Sequence, residues 1–296
     1  MNIKQLQYFI AIAESGTISA AAKQLGISQP PLSAQLKQLE ESLHVKLIER
    51  GARKVTLTEA GKILYKRANA IVSLSNMTIR ELDHFQNGQG ETIRLGMISS
   101  VGSALYQWRL QFFKQMHPST TFEIYEGNTY ELLEQLNEGV IDIAIVRTPF
   151  QSQDYQCYRL EPEPMYAIAT QSFLQAYPEQ GLSILDLEGL PIIIYRRMEH
   201  VIKAAFQKKG INPIISCLND DARTSLMWAE AGMGIAIVPK SIISMYTGQI
   251  KLIKKEITDT ELYTQITAIK MKNRSCPKRG LDFLDLFSTK ENKALN

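Results

Sequence analysis

The chain has 296 residues, 45% of them hydrophobic and 21% charged, with a formal net charge of +3. That length suits about two or three domains with a sizeable core. The balance excludes collagen-like, low-complexity and wholly disordered chains. No apolar run approaches the roughly 18 residues of a membrane span. The opening, MNIKQLQYF, lacks the basic stretch and long apolar run of a signal peptide. Cys157, Cys217 and Cys276 show no metal-ligand spacing, and their odd number suits a reducing compartment. A cytoplasmic location without a membrane partner is expected. Charge is uneven: residues 1–90 carry 11 Lys/Arg against 7 Asp/Glu, or +4, and the remainder 22 against 23, or −1. A basic head on a neutral body suits contact with a polyanion, although four charges also fit a solvated surface.

Residues 3–14 read as an amphipathic helix, with Ile3, Leu6, Ile10 and Ala13 at spacings of 3 and 4. A second helix runs from about Ile18 to Leu25 through three alanines, and Gly26 suits its C-terminus. A third starts at Gln29 or Pro30, because proline is tolerated only in a first turn, and runs to about Leu43. Leu32, Leu36, Leu39 and Leu43 define its buried face. Gln29, Pro30, Pro31, Ser33, Ala34 and Lys37 are left at its tip and outer face. This is the helix-turn-helix pattern, whose second helix enters the major groove by its N-terminal residues. Gln29 can pair with adenine, and Ser33 can serve several bases or a phosphate. A plain three-helix bundle with a polar outer face shares the periodicity. The segment from His44 to Thr58 then reads as two short strands around a basic turn, a wing offering Arg50, Arg53 and Lys54 to phosphates or a narrow minor groove. A solvated hairpin tip would carry similar residues.

Four ordered blocks, Gln29-Pro30-Pro31-Leu32-Ser33, Leu36 through Glu40, Leu47-Ile48-Glu49-Arg50 and Leu57-Thr58-Glu59-Ala60-Gly61, resemble the LysR-type transcriptional regulators. The resemblance is close over residues 1–61 and looser beyond, and leans towards regulators of small organic or aromatic acid metabolism. It departs at Ala34, where many members carry Arg or Gln, so a base or phosphate contact is missing there or replaced by a thymine methyl contact. The resemblance implies a winged helix-turn-helix at 1–58, a dimerisation helix at 59–87, a hinge at 88–91 and an effector domain at 92–296. It also implies double-stranded operator DNA as partner, a homodimer through the linker helix, a dimer of dimers, and a contact with RNA polymerase.

Thr58 can cap the long helix, and Glu59 suits its N-terminal dipole. Leu64, Ala68, Ile71, Ser75, Ile79 and Leu82 keep helical spacing to about Phe85. That is long for a globular helix and reads as a dimer seam; packing on its own domain is the alternative. Asn87-Gly88-Gln89-Gly90 breaks the pattern.

From residue 92 strands alternate with helices, which is α/β with largely parallel sheets. The strands are expected at Ile93–Ile98, Thr121–Tyr125, Ile141–Val146, 164–169, Ile192–Tyr195, Ile214–Leu218, Ile235–Val238 and Leu262–Lys270. The helices are expected at Val101–Met116, Thr129–Asn137, Val201–Lys208, Thr224–Ala231 and Leu281–Phe287. Two subdomains with a cleft, or one doubly wound sheet, fit this count. The resemblance implies a two-lobed fold like that of periplasmic binding proteins, with lobe I at about 92–163 and 266–290 and lobe II at about 164–265.

Ligands of open α/β sheets bind beyond the carboxyl ends of strands, where helix N-termini offer N–H groups to anions. Ser99, Ser100, Asn128, Thr129, Arg147, Arg196, Arg197 and Asp221 occupy such ends. The resemblance places effector contacts at Ser99, Ser100, Asn128 and Thr129, and the three arginines could supply a carboxylate fork for a small organic or aromatic anion. Serines and threonines before helices are also routine caps. Nothing supports an enzyme: no His-Glu-x-x-His, Gly-x-Ser-x-Gly or phosphate loop occurs, although spacing in sequence does not exclude a site assembled in space. No cofactor, metal or catalytic residue is expected. A solute-binding transport protein would need export, and a thiol switch would need a paired cysteine pattern.

Overall fold

The computed structural model describes residues 1–51, 54–86, 91–101 and 108–288. The chain divides into two compact units, Met1–Gly90 with Asn137–Val140, and Glu91–Leu136 with Ile141–Asn296. Each is taken by itself.

The first unit opens with α1 (Ile3–Ser15), closed at its N-terminus by a capping box between Asn2 and Gln5 and at its C-terminus by Gly16 at φ 66°. In α2 (Ile18–Gln24) Thr17 caps by accepting from Ala20 N at 3.1 Å, and the small Ala21 and Ala22 are buried. The third helix, α3 (Gln29–Leu43), carries its prolines in the first turn, where the missing N–H costs nothing. Strands β1 (Ile48–Arg50) and β2 (Val55–Leu57) pair antiparallel, Ile48 opposite Leu57. Leu6, Phe9 and Ile12 meet Leu32, Leu36, Leu39 and Leu47 in one core. Buried Glu40 ties α3 to the wing, accepting from Leu47 N at 2.8 Å and Lys46 Nζ at 2.9 Å.

The long α4 (Glu59–Gln86) starts on Thr58, whose Oγ1 accepts from Gly61 N at 3.0 Å. Its apolar seam divides. Ala68 is fully buried in the head core, with Leu64, Tyr65 and Val72 packed around it. Ile71, Leu74, Ile79 and Leu82 are between 37% and 58% exposed. Packing on its own domain therefore describes the first half of the helix, and an uncovered seam the second. The expected hinge at Asn87-Gly88-Gln89-Gly90 lies outside the described residues.

In the second unit the elements run β3 (Thr92–Met97), α5 (Arg109–Met116), β4 (Thr121–Glu126), α6 (Thr129–Glu138), β5 (Ile143–Arg147), β6 (Tyr155–Arg159), β7 (Met165–Ala169) and α7 (Gln171–Leu174). They continue with β8 (Pro191–Tyr195), α8 (Glu199–Lys208), β9 (Ile214–Asn219), α9 (Ala222–Glu230), β10 (Ile235–Pro239), β11 (Ile253–Glu256), β12 (Ile266–Met271) and α10 (Lys278–Ser288). The described residues form two five-stranded sheets, β4-β3-β5-β12-β6 and β11-β7-β10-β8-β9, which decides against one doubly wound sheet.

The sheets are mixed rather than largely parallel. In each, two pairings are parallel and two antiparallel, because β12 enters lobe I between β5 and β6, and β7 enters lobe II between β10 and β11. The strands β6 and β11 go unread in the sequence; of the helix expected at Val101–Met116 the described residues show its second half as α5 from Arg109, a 3-10 turn occupies Ser99–Val101, and 102–107 lie outside the described residues. The chain passes between lobes twice, side by side: Glu163 and Thr264 exchange backbone hydrogen bonds of 2.8 and 3.0 Å.

Candidate nucleic-acid interface and effector cleft

The head presents the N-terminal turn of α3 outward. Gln29, Pro30, Pro31, Ala34 and Lys37 are exposed, and Ser33 is half-buried. Gln29 is not loose: Ser19 Oγ on α2 donates to its Oε1 at 2.9 Å. That bond uses one lone pair and leaves the second, with both amide hydrogens, for a base edge. Ser19 carries no sequence signal of its own, since its partner lies 10 residues on across the turn. Lys37 sits 3.6 Å from Glu41 in an exposed pair worth little. The wing turn closes through Gly51 N to Lys54 O at 3.0 Å, and Lys54 is exposed beside it. Arg53 and the side chain of Arg50 lie outside the described residues.

In the second unit the carboxyl ends of the parallel strands of both sheets meet at one cleft of about 250 Å³. Lobe I brings Ser99 and Ser100 after β3, Asn128 and Thr129 after β4, and Arg147 at the end of β5. Lobe II brings Tyr195 and Arg197 from the end of β8 and Asp221 from the end of β9. Seven of the eight residues expected at the cleft line it.

Arg196 does not. Its Nε donates to Asp220 Oδ1 at 2.8 Å, and its side chain is 58% exposed. The 3-10 turn at Arg196–Met198 separates neighbours by about 120°. One arginine therefore faces solvent and the next the cleft.

Arg147 lines the cleft but has no fork to offer. Its Nε donates to Ser100 Oγ at 3.3 Å, and Nη1 to Thr264 Oγ1 at 2.9 Å and to Glu163 Oε1. Nη2 donates to Ser100 O at 2.8 Å and Ser241 Oγ at 2.9 Å. A guanidinium has five N–H groups, so all are engaged. Arg147 thereby fastens the two crossovers, with no N–H left over for a carboxylate fork in this arrangement. Glu163, Ser241 and Thr264 complete the fastening, Ser241 N donating to Glu163 Oε2 at 2.7 Å.

Arg197 spans the lobes. Its Nη2 donates to the carbonyls of Arg147 at 3.1 Å and Pro149 at 2.5 Å, and the guanidinium lies over the Tyr130 ring at 4.8 Å. Among the described residues its Nε is buried without a hydrogen-bond partner, as are Thr129 Oγ1 and the Tyr195 hydroxyl. Asn128 is a cap, its Oδ1 accepting from Tyr130 N at 2.9 Å. Asp221 caps α9 and takes the Arg223 side chain at 2.7 Å. Burial alone would raise its pKa, but the side-chain and backbone bonds and charge of Arg223, with the Ser99 hydroxyl, hold it below the ordinary value. Its charge is thus spent within lobe II and at the lobe contact. The sequence puts Tyr195 at a strand end but not among the expected contacts; the signal was a hydroxyl ending an otherwise apolar strand, Ile192-Ile193-Ile194-Tyr195.

Residues 3–62 match the profile of the bacterial regulatory helix-turn-helix proteins of the lysR family, and residues 86–290 that of the LysR substrate binding domain. The chain belongs to the LysR family. The transcriptional regulator BsdA of Bacillus subtilis is 30% identical over 296 residues, spanning 97% of this chain and all of that one. BenM of Acinetobacter baylyi is 30% identical over 83% of this chain and 82% of its own. Full-length CbnR in complex with its target DNA superposes with a TM-score of 0.76 at 25% identity, covering 97% of this chain and all of that one. This LysR-family chain is a DNA-binding transcription regulator with an effector-binding body. No described helix is long and apolar enough to cross a membrane.

Proposed function

We propose that this regulator is a cytoplasmic, non-enzymatic switch that dimerises through the uncovered half of α4 and is controlled by a small organic anion held between the lobes. The observation that carries the effector reading is the set of buried, unpartnered polar atoms on the cleft residues Thr129, Tyr195 and Arg197. Buried polar groups normally find partners, and leaving one unmade costs about 1–3 kcal/mol. Arg197 supplies the charge, because Arg147 is matched by Glu163 and the Asp221 charge by Arg223. Ile71, Leu74, Ile79 and Leu82 form a stripe that a second copy of the helix would cover. Two paired heads read a roughly palindromic site. Pairing of dimers and a contact with RNA polymerase complete the proposed assembly. Effector binding acts by differential affinity for two arrangements of the bodies.

The test is binding of the full chain to the DNA upstream of its own gene and to random DNA, over a salt series and with carboxylate ligands added. The expected result is site-specific binding whose affinity shifts with a carboxylate in the wild type and not in Arg197→Gln. Lys54→Gln should reduce the log–log salt slope by about 0.9 if Lys54 meets a phosphate. Equal affinity for both DNAs at every salt, followed by no enriched site on selection from a random pool, would refute the DNA reading. Carboxylates acting equally on Arg197→Gln would refute the cleft.

A further inference from the structure

The serine before the recognition helix stands in the place of a cap and does not act as one. In the head, α1, α2 and α4 each have a cap side chain that accepts from the backbone N–H three residues on. Asn2 accepts from Gln5 N at 2.9 Å, Thr17 from Ala20 N at 3.1 Å and Thr58 from Gly61 N at 3.0 Å. Ser28 holds the same position before α3, in extended backbone at φ −76° and ψ 153°. The residues two and three on are Pro30 and Pro31. A cap oxygen bonds the N–H of one of those two positions, and proline has none. Ser28 therefore makes no capping bond. Its hydroxyl is exposed and without a partner among the described residues.

The prolines also change how this tip can meet DNA. A helix end usually offers phosphate its unbonded N–H groups. Of the first three residues of α3, only Gln29 keeps an N–H. Phosphate at this tip must be held largely by side chains. The dimensions bring phosphate close. A helix with its side chains is about 10–12 Å across and the major groove about 12 Å wide, so a helix entering tip first has the groove's phosphate rims against its flanks. The bond from Ser19 to Gln29 sets α2 against the tip that Ser28 begins. In a helix-turn-helix that preceding helix crosses the DNA backbone. Ser28 thus lies where the helix in the groove meets the helix over the backbone. The Ser19 hydrogen is spent on Gln29, whereas the Ser28 hydrogen is available to a phosphate oxygen.

We infer that the Ser28 hydroxyl donates to a DNA phosphate beside the base read by Gln29. Two prolines release this serine from capping, and the DNA backbone takes up the bond. The contact carries no sequence information, so any duplex reports it.

The experiment is fluorescence anisotropy of the full-length regulator on a random-sequence duplex and on the DNA upstream of its own gene, over a salt series. Ser28→Ala and Ser28→Thr are compared with the wild type, and the thermal unfolding of each is recorded. Ser28→Ala should bind both DNAs more weakly by the same factor, roughly three- to tenfold for each head engaged, the worth of one hydrogen bond. The log–log salt slope should not change, because a hydroxyl displaces no counter-ion. Ser28→Ala should unfold at the wild-type temperature. A working cap would be worth about 1 kcal/mol, or about 4–8 °C in a unit the size of the head. Ser28→Thr keeps the hydroxyl and should bind as the wild type does. Wild-type affinity in Ser28→Ala, or a loss confined to one of the two DNAs, overturns the inference. So does a lowered unfolding temperature, which would make Ser28 a structural residue, or a Ser28→Thr variant as weak as Ser28→Ala.

Discussion

Replacing Arg147 by Met tests whether the crossovers are fastened by this residue. The Arg147 side chain is 3% exposed and the Glu163 side chain 14%. The substitution removes five hydrogen bonds and leaves the Glu163 carboxylate with Ser241 N at 2.7 Å and Ser241 Oγ at 3.0 Å as its bonded partners. Breaking one side of a buried pair costs about 3–5 kcal/mol. At about 2–4 °C per kcal/mol for a domain of this size, the body should unfold roughly 6–20 °C lower. The uncompensated charge causes most of that loss. Arg147→Met with Glu163→Leu should therefore recover much of it, since apolar replacement of a whole buried pair is often neutral. Differential scanning calorimetry of the full chain and the three variants closes the double-mutant cycle. A shift below about 2 °C for Arg147→Met, or a double variant no more stable than the single one, would refute the fastening.

Three further outcomes are expected. A Cβ on Gly61 would stand 2.0 Å from the Leu47 carbonyl oxygen, so Gly61→Ala must move backbone and should cost the head about 1–3 kcal/mol in a denaturation assay; an unchanged midpoint would contradict the close approach. Ser19→Ala frees the Gln29 amide and should lower the specific-to-random affinity ratio about two- to tenfold in a competition assay, leaving random DNA binding as it was. Burial would raise the Glu40 pKa, but its bonds from Leu47 N, Lys46 and Ile48 N hold it below 4.5. Its stabilisation is therefore complete above pH 4.5 and is lost as pH falls through the lower folded value. Glu40→Gln should cost most at neutral pH, and its gap from wild type should close on acidification; a gap constant with pH would refute the charge.

The head was legible because its information is local. Leucines at 4, 3 and 4 place the recognition helix, and two prolines mark its first turn. The body was legible where apolar runs were long, and failed at β6 and β11, whose runs are short and, in Ile253-Lys254-Lys255-Glu256, largely charged. Lys255 is buried, and its Nζ donates to Glu179, 76 residues away. The role of Arg147 was illegible for the same reason. Its partners Glu163, Ser241 and Thr264 lie 16, 94 and 117 residues along the chain. Adjacent Arg196 and Arg197 look alike in sequence, and the 3-10 turn alone assigns one to Asp220 and one to the cleft.

The double crossing at Glu163 and Thr264 also bears on how the body is made. Lobe II is an uninterrupted stretch, and its five strands are complete once Glu256 has been synthesised. Lobe I has four of its strands by Arg159, but β6 pairs with β12, which ends at Met271. On the ribosome β6 therefore waits through the whole of lobe II for its neighbour. The usual order, in which the N-terminal unit closes first, is reversed within the body: the inserted lobe is born second and completes its sheet before its host.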